Sequence, residues 1–394
     1  MWNKVLILST INDGMIMYIP RKLSDVVAQR MFKGKAIILI GARQVGKSTL
    51  FRQIVGSNEE RTAVTLNCDE PALQELLRNP SRQELASIVG PYDIIFIDEA
   101  QRVDGIGMTL KRIVEEWPGK QLLVSGSSAF ELHNRLNEPL TGRKYEYYLY
   151  PISTGEIAAM PGGVIAERQM LDQRLIYGSY PEILTNPGEV KELLATLADS
   201  YLYKDILQLD GIRKSALLDK LLKAVALQLG SEVSFNELAQ LVGADAKTVE
   251  KYINLLEKCF VIFQLPALSR NLRNELKKSK KIMFWDNGVR NAIIQNFAPL
   301  ELRADCGALW ENFFITERIK YNNNKLAYCN YYFWRTHDSQ EIDLIEEADG
   351  IFNIFEMKYN PRVKASFPAS FLSAYPVGIK AVVTPENYRE YLLG

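Results

Sequence analysis

The chain reads as an α/β protein with a P-loop parallel-sheet core, a helical and winged-helix middle and a smaller C-terminal α/β unit. Three stretches predict this. The apolar run Ile37-Ile38-Leu39-Ile40 stops at Gly41, and Gly46-Lys47-Ser48 then opens an amphipathic pattern, so strand, loop and helix N-terminus follow in order. Ile94-Ile95-Phe96-Ile97 runs directly into Asp98-Glu99, as expected of a parallel strand buried on both faces and ending at the ligand-binding edge of an open sheet. Residues 328–334, 341–345 and 351–358 read as three further strands behind an amphipathic segment at 310–319.

Composition narrows the function classes. At 394 residues, two to three domains are expected. Hydrophobic residues make up 47% and charged residues 24%, which places the chain among ordinary globular proteins. Acids and bases balance at 47 each, so any nucleic-acid site must be a local patch. Cys68, Cys259, Cys306 and Cys329 are widely spaced and the only histidines are His133 and His337, so a zinc site is not expected and the thiols should be reduced. No apolar run reaches the length of a membrane span. Val5-Leu6-Ile7-Leu8 is too short for a signal sequence, so a cytoplasmic protein is expected. Met15 and Met17 lie just before residues 18–21, which leaves the true start of the chain open.

Taken in order, residues 21–33 form a lead-in helix to the first strand. The spacing G-x-x-x-x-G-K-S over Gly41, Ala42, Arg43, Gln44, Val45, Gly46, Lys47 and Ser48 lets backbone N–H groups converge on a triphosphate at a helix N-terminus, with Thr49 in the first helical turn. Lys47 would reach the β- and γ-phosphates, and Ser48 would ligate Mg²⁺. A strand near 62–67 and two short helices, near 71–77 and 82–88, precede the Asp98-Glu99 strand. Asp98 would hold Mg²⁺ through its water shell and Glu99 would polarise the attacking water. After a helix near 108–117, the strand at 121–128 ends in Ser125-Gly126-Ser127-Ser128. There Ser127 can lie between water and γ-phosphate, or serve as a helix N-cap.

With these motifs and the Thr141-Gly142-Arg143 turn, the chain resembles a AAA+-type ATPase. It is similar in particular to a bacterial and archaeal group that carries a C-terminal domain of unknown function. Residues 18–21, 41–44, 150–153 and 177–182 carry that closer likeness, which runs from about Met17 to the C-terminus. The resemblance implies ATP binding and hydrolysis and this domain order. Arg143 is the nominee for an arginine sensor or finger, acting on its own nucleotide or on that of a neighbouring copy in an oligomer; a surface arginine is the alternative.

Residues 171–209 read as helical and are followed by a compact unit. A helix at 217–229, a second begun by the capping box Ser234-Phe235-Asn236-Glu237, and a third capped by Asp245 precede strands at 261–265 and 281–286. Three helices and a two-stranded wing make a winged-helix arrangement. Its wing carries Arg270, Arg273, Lys277, Lys278, Lys280 and Lys281, a patch suited to DNA phosphates. The recognition-like helix is of mixed charge (Lys247, Glu250, Lys251, Glu257, Lys258), which suits protein docking equally.

In the C-terminal unit, Asp343 followed by Glu356-x-Lys358 follows the order of a D…E-x-K nuclease core. Asp343 and Glu356 would hold Mg²⁺, Lys358 would orient water, and Glu311 could add a helix-borne acid. The pattern arises about once by chance in a chain of this length, so its placement at strand ends gives it weight. The group resemblance points the same way, towards a restriction-endonuclease-like fold. The expected domains are 17–165 (ATPase), 166–300 (helical and winged-helix) and 301–394 (nuclease-like). Two functions follow: an Mg²⁺- and ATP-dependent enzyme acting on DNA, or an ATP-driven switch for a protein partner with a catalytically silent C-terminal domain.

Overall fold

A computed structural model describes residues 10–11, 14–15, 19–127, 140–199, 215–269, 280–336 and 340–394. The first unit is a five-stranded parallel sheet. Its strands are β1 (Ala36–Ile40), β2 (Ala63–Asn67), β3 (Ile94–Asp98), β4 (Gln121–Gly126) and β5 (Lys144–Tyr148), in the spatial order β2-β3-β4-β1-β5. Strands β1, β3 and β4 are buried along their whole length, in keeping with the apolar runs Ile37–Ile40, Ile94–Ile97 and Leu122–Val124 at their centres. Around them lie α1 (Leu23–Arg30), α2 (Lys47–Gly56), α3 (Pro71–Arg78), α4 (Arg82–Val89) and α5 (Ile106–Glu116). Ser81 and Glu84 form a reciprocal capping box that sets the start of α4.

The middle begins with short helices α6 (Thr154–Ile157), α7 (Gly163–Gln169), α8 (Leu171–Tyr177) and α9 (Pro181–Thr185). The helix expected through 201–209 lies outside the described residues. Then follow α10 (Ser215–Leu227), β6 (Glu232–Val233), α11 (Phe235–Val242), α12 (Ala246–Lys258), β7 (Ile262–Pro266) and β8 (Lys280–Phe284). Ser234 and Asp245 cap α11 and α12 as expected, accepting from the Glu237 and Thr248 N–H groups. Two details differ from expectation. The sheet has three antiparallel strands, β6-β8-β7, because the two-residue β6 pairs with Lys280 and Lys281. Strand β8 also stops at Phe284, because Asp286 turns the chain into a helix, α13 (Asn287–Ile293), by capping Val289 N–H.

The last unit opens with the long α14 (Cys306–Asn324), then β9 (Asn330–Arg335), β10 (Glu341–Ala348), β11 (Ile351–Met357), α15 (Ala369–Ala374), β12 (Val377–Val383) and α16 (Arg389–Leu392). Its sheet order is β9-β10-β11-β12, antiparallel except for the final parallel pair. Because β12 covers the far side of β11, the strand bearing Glu356 is internal rather than an edge.

The units are joined by buried polar contacts as well as apolar packing. The Leu268 N–H bonds the Phe333 carbonyl at 2.7 Å, and the Asn312 side chain brackets Phe284, accepting from its N–H at 2.8 Å and donating to its carbonyl at 2.9 Å. Glu317 of α14 accepts the Thr154 N–H at 2.5 Å and pairs with Arg174 at 3.2 Å. Among the described residues, no helix is long and apolar enough to cross a membrane.

Candidate functional site

The site sits at the C-terminal ends of β1, β3 and β4. Gly41 leaves β1 against the segment after β5, where a β-carbon would lie 2.1 Å from the Leu149 carbonyl oxygen. The first glycine of the loop is therefore required by close packing as much as by phosphate access. Gly46, at φ 94°, holds the left-handed position that turns the loop into α2. Between them Ala42 and Val45 are buried, Gln44 is exposed at φ 58°, and Thr49 faces solvent. Lys47 is only 4% exposed, and its ammonium caps the Gly41 and Ala42 carbonyls at 2.9 and 2.6 Å. That places it on the loop within one side-chain rotation of a phosphate.

Asp98 and Glu99 diverge as the chain leaves β3. Asp98 is buried and accepts from the Ser48 hydroxyl at 2.9 Å and from the Ser125 hydroxyl of β4. The pair Ser48–Asp98 therefore offers two oxygens side by side, a donor set that fits Mg²⁺. Glu99 has φ 53°, a left-handed conformation uncommon outside glycine, which swings its carboxylate away from Asp98. Its N–H is held by Ser125 Oγ at 3.2 Å, and Gln101 donates through one amide nitrogen to both Glu99 Oε2 and Ser127 Oγ, the latter at 2.7 Å. Burial alone would raise the Glu99 carboxyl, but the Lys47 ammonium, the Gln101 and Ser127 hydrogen bonds and Arg43 together hold it below its ordinary value. It is therefore held as the carboxylate anion. Cys68, beside Asp98, is pushed up to about 12 by burial and the neighbouring acids, so its thiol stays protonated and inert.

Arg21 was read only as part of a motif, but it supports the loop from behind. It is 8% exposed and donates to the Val45 carbonyl at 2.6 Å, the Tyr150 carbonyl at 2.6 Å and Glu156 at 3.0 Å. Ser125 and Gln101 were likewise not singled out as site residues. Position gave a signal for both, one at a strand end and the other two residues beyond the acid pair.

Arg143 is a correction. Its carbonyl accepts from Ala36 N–H at the start of β1, the end of the sheet opposite the loop. The intervening strand spans about 13 Å, and the guanidinium pairs instead with Glu115, in the last turn of α5, at 2.8 Å and 44% exposed. It does not face this chain's own nucleotide site.

The basic patch is also redrawn. Arg270, Arg273, Lys277 and Lys278 lie outside the described residues, as do His133 and His337. Lys280 is half-buried and donates to Gln264 at 3.0 Å. Lys281 is no surface residue: 2% exposed, it contacts Glu311 at 2.8 Å and Glu341 at 2.7 Å. It belongs to the stretch of β8 from Lys281 to Phe284 that is buried throughout, where the run of lysines in the sequence suggested a solvated wing.

Glu311, Asp343, Glu356 and Lys358 do come together in the C-terminal unit, with Glu341 added. Asp343 accepts the Met357 N–H at 2.8 Å, and Lys358 pairs with Glu356 at 2.7 Å. Burial, relieved in part by Lys281, raises Glu311 to about 7. Burial also raises Asp343 and Glu356, Asp343 against the pull of Lys281 and Glu356 with Asp343 adding to the shift. Among the described residues, no three acids, cysteines or histidines converge closely enough to hold a metal ion.

Residues 33–158 match the AAA domain family, while 168–300 and 306–392 match two domains of unknown function, DUF8612 and DUF4143. An uncharacterized protein of Mycobacterium tuberculosis is 27% identical over 370 residues, 91% of this chain and 78% of its own length. Another, of Methanocaldococcus jannaschii, is 23% identical over 298 residues, 66% of this chain and 63% of its own. Among solved structures, the Walker-type ATPase PABY2304 of Pyrococcus abyssi aligns with a TM-score of 0.51 at 16% identity, covering 70% of this chain and 96% of that one. At that identity the likeness is one of fold. The first unit has the fold of a AAA-type P-loop ATPase.

Proposed function

We propose that the chain binds ATP with Mg²⁺ at the ends of β1, β3 and β4 and hydrolyses it to ADP and phosphate. The observation that carries this reading is the convergence of Lys47, Ser48, Asp98 and Glu99 on one sheet edge, with Glu99 held anionic and apart from Asp98. Lys47 turns from the loop carbonyls to the β- and γ-phosphates. Ser48 and Asp98 are the residues that would hold Mg²⁺, which supplies charge neutralisation on the phosphate oxygens when bound. Glu99 takes a proton from the water that attacks the γ-phosphorus, and Gln101 and Ser127 fix its carboxylate for that task.

The test is ATP binding and turnover by the full chain beside Lys47→Ala and Glu99→Gln. Lys47→Ala abolishes nucleotide binding, and Glu99→Gln binds ATP but turns over at least about 100-fold more slowly. Unchanged turnover in either variant refutes the assignment.

Two readings remain for what the cycle drives. DNA processing is supported by the order α10-β6-α11-α12-β7-β8, which we read as a winged helix, and by the order α14-β9-β10-β11-α15-β12, which we read as a restriction-endonuclease-like core. An ATP-driven switch with a silent C-terminal domain is supported by Lys281, which fills the acid cluster that cleavage would use. The second has the more specific observation behind it. It also has a route: Arg21 ties the phosphate loop to Glu156, and the neighbouring Thr154 bonds Glu317 on the helix that carries Glu311. DNA-stimulated turnover that falls with salt, together with Asp343-dependent cleavage, decides for the first reading; neither effect decides for the second.

A further inference from the structure

The acids of the C-terminal unit have a cation among them that the chain itself provides. Lys281 sits on β8, in the middle unit, paired in register with Glu232 and Leu265. Its ammonium crosses to the C-terminal unit, contacts Glu311 of α14 at 2.8 Å and Glu341 of β10 at 2.7 Å, and lies 5.4 Å from the centre of the Phe333 ring. A lysine 2% exposed is rare and persists only when its charge is matched. Here the match exceeds one acid. Glu311, Glu341, Asp343 and Glu356 carry up to four negative charges, against Lys281 and the more exposed Lys358, with Arg335 4.0 Å from Glu341.

We infer that Lys281 is the resident cation of this cluster: its ammonium takes the place of a divalent metal between Glu311 and Glu341, on the strand that also bears Asp343, so that the folded chain excludes divalent metal there. The cluster is then a clamp between the middle and C-terminal units rather than a working metal centre; around Lys281 the acids do not converge on a metal position, and removing the ammonium frees them to draw together on a divalent ion. Geometry supports this in two ways. The acids come from three elements of the C-terminal unit and Lys281 from the middle unit, so the buried ammonium reaches Glu311 and Glu341 only when the units are docked. The docking surface is fixed on either side of Lys281 by the Leu268–Phe333 bond and by the Asn312 bracket around Phe284. Without the ammonium, Glu311 and Asp343 lose the cation that offsets their burial, and a divalent ion entering from solvent competes for them only with protons.

The experiment is Mn²⁺ titration of the full, nucleotide-free chain, following free Mn²⁺ by electron paramagnetic resonance. It compares wild type, Asp343→Asn, Lys281→Met, Lys281→Arg and the double variant Lys281→Met/Asp343→Asn, all sharing an unaltered nucleotide site. Lys281→Met is expected to take up one Mn²⁺ more than wild type, at least tenfold tighter than any wild-type uptake at the cluster, and to lose it in the double variant. Lys281→Arg keeps the charge and gains none. A folded Lys281→Met with wild-type uptake overturns the inference. If Lys281→Met does not fold, the other pair decides: equal uptake by wild type and Asp343→Asn supports the inference, and greater uptake by wild type overturns it. No ATP is used, so the outcome is separate from that of the ATPase reading.

Discussion

Replacing Arg21 with methionine keeps a long flexible side chain and removes three hydrogen bonds at once. One is to Glu156, whose side chain is 1% exposed. Stranding one partner of a buried ion pair costs about 3–5 kcal/mol. Glu156 keeps the Lys22 N–H at 3.0 Å and the Ser153 N–H and hydroxyl, both at 2.9 Å, so its share falls to about 1–2 kcal/mol. The Val45 and Tyr150 carbonyls each lose a 2.6 Å bond from a cation, adding about 1 kcal/mol apiece. The total is about 3–4 kcal/mol, equivalent to a fall in Tm of roughly 10 °C for a unit of this size. Val45 belongs to the phosphate loop, so stability should not be the only loss. A displacement near 1 Å in a catalytic group costs up to about 100-fold. The assay is thermal melting plus kcat/KM at a temperature well below the variant's Tm. Arg21→Met should lower kcat/KM by about 10- to 100-fold while still folded, and Arg21→Lys should recover little, because an ammonium cannot serve three acceptors in the guanidinium's fixed fork. A Tm within 2 °C of wild type, or a kcat/KM within about twofold in the folded variant, refutes the argument.

Three other perturbations test neighbouring parts of the structure. Gln101→Leu removes the amide that joins Glu99 to Ser127, so kcat should fall about tenfold or more while ATP affinity, measured by fluorescent-nucleotide titration, changes less than about twofold. Gly41→Ala drives a β-carbon to 2.1 Å from the Leu149 carbonyl and should cost about 1–3 kcal/mol in denaturant unfolding, with weakened ATP binding; wild-type values for both would contradict the packing role. Asp305 is held down to about 2 by hydrogen bonds from Arg303 and Arg290, against the opposing pull of burial. A carboxyl depressed below its ordinary 3.8 stabilises the fold above that pH and loses the contribution as pH falls towards 2. The Tm gap between wild type and Asp305→Asn should therefore be present at pH 7 and close on acidification; a gap independent of pH would show that the ion pairs contribute nothing.

Much of the architecture was legible because its signals are local. The strand–loop–helix at 36–56, the buried strand ending in two acids and the caps at Ser234 and Asp245 each depend on residues within a turn or two of one another. Helix α13 was missed because its cap, Asp286, follows an aromatic strand that reads as continuing. In the site, Lys47, Ser48, Asp98, Glu99 and Ser127 lie together at the ends of β1, β3 and β4. For Gln101 only its position after the acid pair was a signal; its role depends on what lies within reach of its amide.

What the sequence alone determined is the set of parts: a phosphate-loop sheet with its acids at the right edge, a helical middle and an α/β tail bearing Asp343, Glu356 and Lys358. Tertiary structure decided which charges face water and which face each other. It placed Arg143 at the wrong end of the sheet for its own nucleotide, set Arg21 behind the loop across 135 residues from Glu156, and buried Lys281 among acids of another unit. The reason is physical. Hydrophobic periodicity is written along the chain, whereas the worth of a charge depends on solvent exposure and on partners that only folding brings within hydrogen-bond distance.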